Sequence, residues 1–137
     1  MLRRTAIAVT FLVAAPCFAS NNPAIEAAKT TAAGWLRLVD AQDIEGSWER
    51  ASSAFKSAVT VAQWSQALAS VRRPLGALRQ REVKAEEFKT SLPGAPDGQY
   101  VLLQYQSTFE NKAAAAETVT VVLDPDGAWK VVGYFIR

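Results

Sequence analysis

Along this chain apolar residues first recur three and four positions apart and later two apart, and that change of period divides the molecule. Ile25, Ala28, Ala32, Trp35, Leu36 and Val39 draw one helical stripe, opened by Asn21, Asn22 and Pro23 as cap and first turn. Glu26, Lys29, Thr30, Arg37 and Asp40 lie on the opposite face, so this first helix is amphipathic. Asp43 is placed to cap a second helix with Ile44, Trp48, Ala51 and Phe55 on its buried side. Glu45, Glu49, Ser52 and Lys56 form the outer side. Thr60 and Gln63 make a capping box for a third helix with the stripe Val61, Trp64, Leu68 and Val71, which Pro74 and Gly76 end.

From Ala77 onward the period is two, and the turn residues change with it. Residues 77–91 predict a long polar strand, closed by the turn from Pro93 to Gly98. Residues 99–109 alternate, with Val101, Leu103, Tyr105 and Phe109 on one face and Gln104, Gln106 and Thr108 on the other. Asn111 to Ala116 reads as a loop and residues 117–123 as a third strand, with Val119, Val121 and Leu123 on one side and Val122 on the other. Asp124-Pro125-Asp126-Gly127 turns the chain into a last strand, 128–136. Three helices followed by four antiparallel strands predict an α+β fold, with the N-terminal helices packed on a four-stranded meander.

The last strand breaks the alternation. In a regular strand Val131 and Phe135 face one side and Val132, Tyr134 and Ile136 the other, so both faces are apolar. Helices can cover only one of them. The outer face is therefore expected to carry an apolar patch, occupied by a second copy in a sheet-to-sheet homodimer or by another envelope protein.

With 137 residues the chain suggests one domain, and 50% apolar with 20% charged residues is ordinary globular composition. Histidine is absent and Cys17 is the single cysteine, which excludes an imidazole base, a Ser-His-Asp triad, a structural zinc site and an intramolecular disulfide. No metal site and no cofactor are expected. Arg3 and Arg4 precede an apolar run from Thr5 to Ala15, the pattern of a signal peptide and too short to span a bilayer. Cleavage is expected after Ala19, leaving a single domain of residues 20–137 in the periplasm or outside the cell. Without Arg3 and Arg4, 13 basic residues balance 13 acidic ones. A neutral chain argues against a nucleic-acid partner.

Candidate chemistry is sparse. Ser53-Ala54-Phe55-Lys56 matches the S-x-x-K pattern of penicillin-recognising enzymes, and Lys89-Thr90-Ser91 echoes their K-T-G strand, but no S-D-N element accompanies them. Asp124-x-Asp126-Gly127 resembles part of a calcium loop without its third carboxylate and closing glutamate, and a hairpin turn accounts for it better. Arg72, Arg73, Arg79 and Arg81, near Glu82, Glu86 and Glu87, read as a solvated, salt-bridged surface, with an anion site as the alternative.

Trp35, Trp48 and Trp64 lie on the buried stripes of three helices and Trp129 opens the last strand. With Tyr105 they are the candidate ligand-binding residues, walling a cavity for an apolar ligand, or they simply fill the core. No catalytic residue is assigned. The rival reading is an isomerase or hydratase with Asp40 or Asp43 as base and Tyr100, Tyr105 or Tyr134 as hydrogen-bond donor.

The segments GWLRLVDAQDIEGSWERAS (34–52), QWSQALASVRRPLGALRQRE (63–82), SLPGAPDGQYVLLQY (91–105) and ETVTVVLDPDGAWKVVGYFIR (117–137) resemble a bacterial exported family of unknown function, DUF 4019. The Trp35 to Trp48 stretch, the SLPGAPDG turn and the closing GYFIR carry the resemblance most specifically. It implies export and a cystatin-like roll of the kind shared with the nuclear-transport-factor-two superfamily, and it brings no activity or catalytic residue. The leading functional expectation is a non-catalytic domain binding a small ligand or an envelope protein.

Overall fold

Asn22 accepts a hydrogen bond from the Ala24 backbone through its side chain, and Pro23 takes the first helical position, where its missing N–H is no loss. The computed structural model describes residues 22–137. The expected signal peptide, residues 1–19 with Cys17, lies outside the described residues.

Helix α1 (Pro23–Asp40) buries Ala28, Ala32, Trp35, Leu36 and Val39 against the sheet. Asp43 caps α2 (Ile44–Glu49) through Gly46 N, and the Thr60–Gln63 capping box opens α4 (Val61–Arg72). Between them the expected second helix is divided. Ser52 is extended, donates its backbone N–H to the carbonyl of Val131, and accepts from Phe55 N to cap a separate α3 (Ser53–Ala58). One tertiary hydrogen bond and one side-chain cap thus end a helix whose apolar stripe runs on unbroken; among the described residues four helices result, followed by a 3-10 turn (Arg73–Leu75).

Strands β1 (Leu78–Lys89), β2 (Tyr100–Phe109), β3 (Lys112–Leu123) and β4 (Trp129–Ile136) form an antiparallel meander in the order β1-β2-β3-β4. Val101, Leu103 and Tyr105, Val119 and Val121, and Val131 face the helices and join Trp64 and Leu68 of α4 in the core. Strand β3 begins at Lys112, so the expected loop from Asn111 to Ala116 shrinks to a tight turn. Its alanines gave no strand signal, but Ala115 opposite Ser107 is buried and the pairing overrides propensity.

Register shifts change which side chains look inward. In β1 the shift after Leu78 leaves Arg79 unpaired, so Arg81, opposite the buried Ser107, turns inward while Arg79 stays outside. In β4 the shift sets Thr120 opposite Gly133 and Val121 opposite Val131, with Val132 as the extra residue. Val131 and Tyr134 therefore share the inner face and Phe135 lies opposite Thr118 on the outer one, correcting the expectation that Val131 sides with Phe135. Gln104 is exposed on that outer face and Phe135 is its one exposed large apolar residue, 50% accessible. Leu102 and Val122 on the same face are half-buried. Among the described residues no helix is long and apolar enough to cross a membrane.

Candidate functional site

Polar side chains converge where the end of α1, the end of α4 and the start of β1 close over the inner face of the sheet. Glu117 occupies an inward position of β3 and is fully buried. Its carboxylate accepts from Arg81 Nε at 2.7 Å and Nη2 at 3.1 Å, and from the hydroxyls of Ser107 and Tyr134. The same guanidinium donates to both oxygens of Asp40, Nη1 at 2.8 Å and Nη2 at 3.0 Å. Arg72 Nη2 reaches Asp40 Oδ1 at 2.9 Å. Two guanidiniums face two carboxylates, so the desolvation of each charge is offset by a near neighbour of opposite sign.

The environment fixes the protonation states. Burial alone would lower the pKa of Arg81, but its hydrogen bonds to Asp40 and Glu117 outweigh that and raise it. Burial, then the charge of Glu117, raises Tyr134 far above the usual phenol value. Burial likewise pushes Tyr105 up to about 12, against a smaller opposing effect of Arg81. Arg81, Tyr105 and Tyr134 are thus held protonated, and both carboxylates are engaged by donors.

Beside the cluster opens a cleft of about 590 Å³, between the C-terminal ends of α1 and α4 and the start of β1. Val39, Ile44, Leu68 and Leu78 give it apolar walls, and Asp40, Gln42, Arg72 and Arg73 give it polar ones. Arg72 lies with its guanidinium 5.0 Å from the ring centre of Phe109, and its Nε and Nη1 are shielded from solvent without a hydrogen-bond partner. At the rim the chain leaves α1 in a Schellman motif: Asp43 N donates to Leu38 O and Gln42 N to Val39 O. The left-handed position, usually glycine, is held by Gln42 at φ 61°.

The family model described as protein of unknown function, DUF4019, matches residues 31–134. The chain belongs to that family. No curated protein and no solved structure matches it, so no structural neighbour supports the cystatin-like label for this DUF4019 chain.

Of the ligand-binding candidates named from the DUF4019 sequence, none lines the cleft. Trp35 and Trp64 are buried with ring centres 5.8 Å apart, and Tyr105 is buried beside the ionic cluster. Trp35 and Trp64 donate their indole N–H to Ser47, and Trp48 donates to the carbonyl of Val59. Trp35 and Trp129 do meet at a second, more open groove of about 430 Å³ with Thr31, Glu49, Arg50 and Lys130. The base candidates are also separated: Asp43 caps α2, and Asp40, assigned to a polar helix face, instead binds Arg72 and Arg81. Helix periodicity could not show that an arginine would arrive from β1.

The arginines are corrected in the same way. Arg72 and Arg81 have side chains only 12% exposed, whereas Arg79 remains outside near Glu110. Ser53 donates to Asp124 at 2.9 Å and Lys56 to the carbonyl of Glu49, so the S-x-x-K residues make no serine–lysine pair. Asp124 through Gly127 form the expected turn, closed by Gly127 N to Asp124 O. Glu117 and Ser107 were missed, though the alternation held a signal: each falls in phase with buried apolar neighbours, Glu117 with Val119 and Val121, Ser107 with Tyr105 and Phe109. A polar residue in an inward row marks a buried network.

Proposed function

We propose that this is an exported, non-catalytic domain that binds a small ligand in the cleft between α1, α4 and β1. The observation that carries the reading is the cleft itself: a volume typical of small-molecule sites, with apolar walls and a few polar groups that the ionic cluster holds rigid. Rigid polar groups limit the ordering penalty of binding. The engagement of both carboxylates, Asp40 and the buried Glu117, by cations favours binding over acid–base catalysis. Export rests on the Arg3-Arg4 start, the apolar run and the Cys17-Phe18-Ala19 box, and would place the mature terminus at Ser20.

The test is amide chemical-shift mapping with a panel of small amphipathic molecules. Shifts concentrated at Gln42, Ile44, Leu68 to Arg73 and Ala77 to Leu78 support the reading. Shifts centred on Trp35 and Trp129 would move the ligand to the second groove, and silence across the panel would overturn ligand binding.

A further inference from the structure

We propose that the occupant of this cleft is a small organic anion, a monocarboxylate with an apolar body; the inference rests on the ligand-binding reading above. Charge is the first argument. Three guanidiniums, Arg72, Arg73 and Arg81, stand at or directly behind the cleft, against two carboxylates, Asp40 and Glu117. Asp40 and Glu117 are bound by Arg72 and Arg81, and among the described residues Arg73 has no ion pair. One positive charge is therefore left uncompensated at the polar end of an otherwise apolar cleft.

The available donors are the second argument. Arg72 spends Nη2 on Asp40 and its Nε and Nη1 are closed off from the cleft, so the exposed guanidinium of Arg73 is the one that offers free N–H donors there. A carboxylate suits a guanidinium because its two oxygens match the fork of N–H donors.

Gln42 is the third argument. Its backbone occupies the left-handed region where glycine would sit without strain, so the fold tolerates a penalty to keep a side-chain amide at the rim. That amide supplies a neutral donor to the second ligand oxygen, while Val39, Ile44, Leu68 and Leu78 receive the apolar body.

Titrating the protein with hexanoate and benzoate, and in parallel with hexanamide and benzamide, tests the assignment by chemical-shift mapping. The acids should saturate the cleft residues at least about tenfold more tightly than the amides, the ratio expected for one charge-assisted hydrogen bond. Arg73→Gln, a change at an exposed side chain, should weaken the acids several-fold and leave the amides unchanged, and Arg73→Lys should restore part of the loss. Gln42→Gly should weaken the acids while the protein becomes more heat-resistant, a pairing that a purely structural Gln42 would not give. Amides that bind as tightly as acids overturn the anion assignment and leave the cleft a ligand site. Silence of both classes at the cleft at millimolar concentration overturns this inference together with the reading it rests on.

Discussion

Arg81 of β1 and Asp40 of α1 are joined by two parallel hydrogen bonds, 2.8 and 3.0 Å, that tie the end of the first helix to the edge strand of the sheet. On its other side the same guanidinium binds the fully buried Glu117. Removing it leaves the fully buried Glu117 without a cation and takes one of its two arginines from Asp40. Arg81→Met is therefore expected to destabilise the domain by about 3 to 5 kcal/mol. In denaturant melts the double variant Arg81→Met/Glu117→Gln should lose clearly less than the sum of the two single changes, because the cost of one is the orphaned charge of the other. Strict additivity would show that the pair is not coupled.

Trp64 packs edge-on against Phe55, with ring centres 5.3 Å apart, and its indole N–H is satisfied by Ser47 Oγ at 2.9 Å. Truncation to alanine removes transfer energy, leaves a cavity and takes away the donor that Ser47 Oγ accepts, for a loss of about 3 to 5 kcal/mol. Thr60→Ala removes only one arm of the capping box and should cost about 1 kcal/mol. Melts of both variants read the difference; a near-neutral Trp64→Ala would remove that side chain from the core.

Gln42 predicts the opposite sign. Glycine at φ 61° relieves the clash of Cβ with the backbone, so Gln42→Gly should raise stability by about 1 kcal/mol. A thermal melt checks this, and a destabilised variant would show that the glutamine side chain makes contacts whose loss outweighs the relieved strain.

Tyr105 and Tyr134 make stability fall in alkali. Each phenol has a folded pKa above its unfolded value, Tyr105 at about 12 and Tyr134 raised further in the same direction. Above about pH 10 the unfolded chain releases these two protons while the folded chain retains them, so the unfolded state gains. Stability should be insensitive to these groups below pH 9 and decline from about pH 10 upward. In Tyr134→Phe the decline should be shallower, and an unchanged slope would remove Tyr134 as its source.

The outer sheet face is probed at Phe135. Tyr134→Asp would set a carboxylate beside Glu117 and unfold the network whatever covers the sheet. Phe135 has Arg137 stacked 4.9 Å from its ring centre and is half exposed, so Phe135→Asp should change stability by less than about 1 kcal/mol and leave the sedimentation coefficient unaltered. A wild-type dimer that this variant dissolves would place a partner on that face.

By itself the sequence determined the elements, because their signals are local. Hydrophobic period, the caps at Asn22, Asp43 and Thr60, and the turn at Asp124 to Gly127 act within a few residues, and each appears where the pattern put it. The α+β order and the inward rows of β2 and β3 follow from the same short-range rules. Tertiary structure decided the rest, since its causes join residues far apart in the chain. The break before α3 depends on Ser52 finding Val131, and the faces of β1 and β4 depend on extra residues such as Arg79 and Val132, each of which reverses the side chains that follow it up to the next irregularity. Asp40, Arg72, Arg81 and Glu117 look like solvated charges one at a time. They become a neutral, largely buried cluster beside a cleft only because the folded chain brings opposite charges within 3 Å of one another.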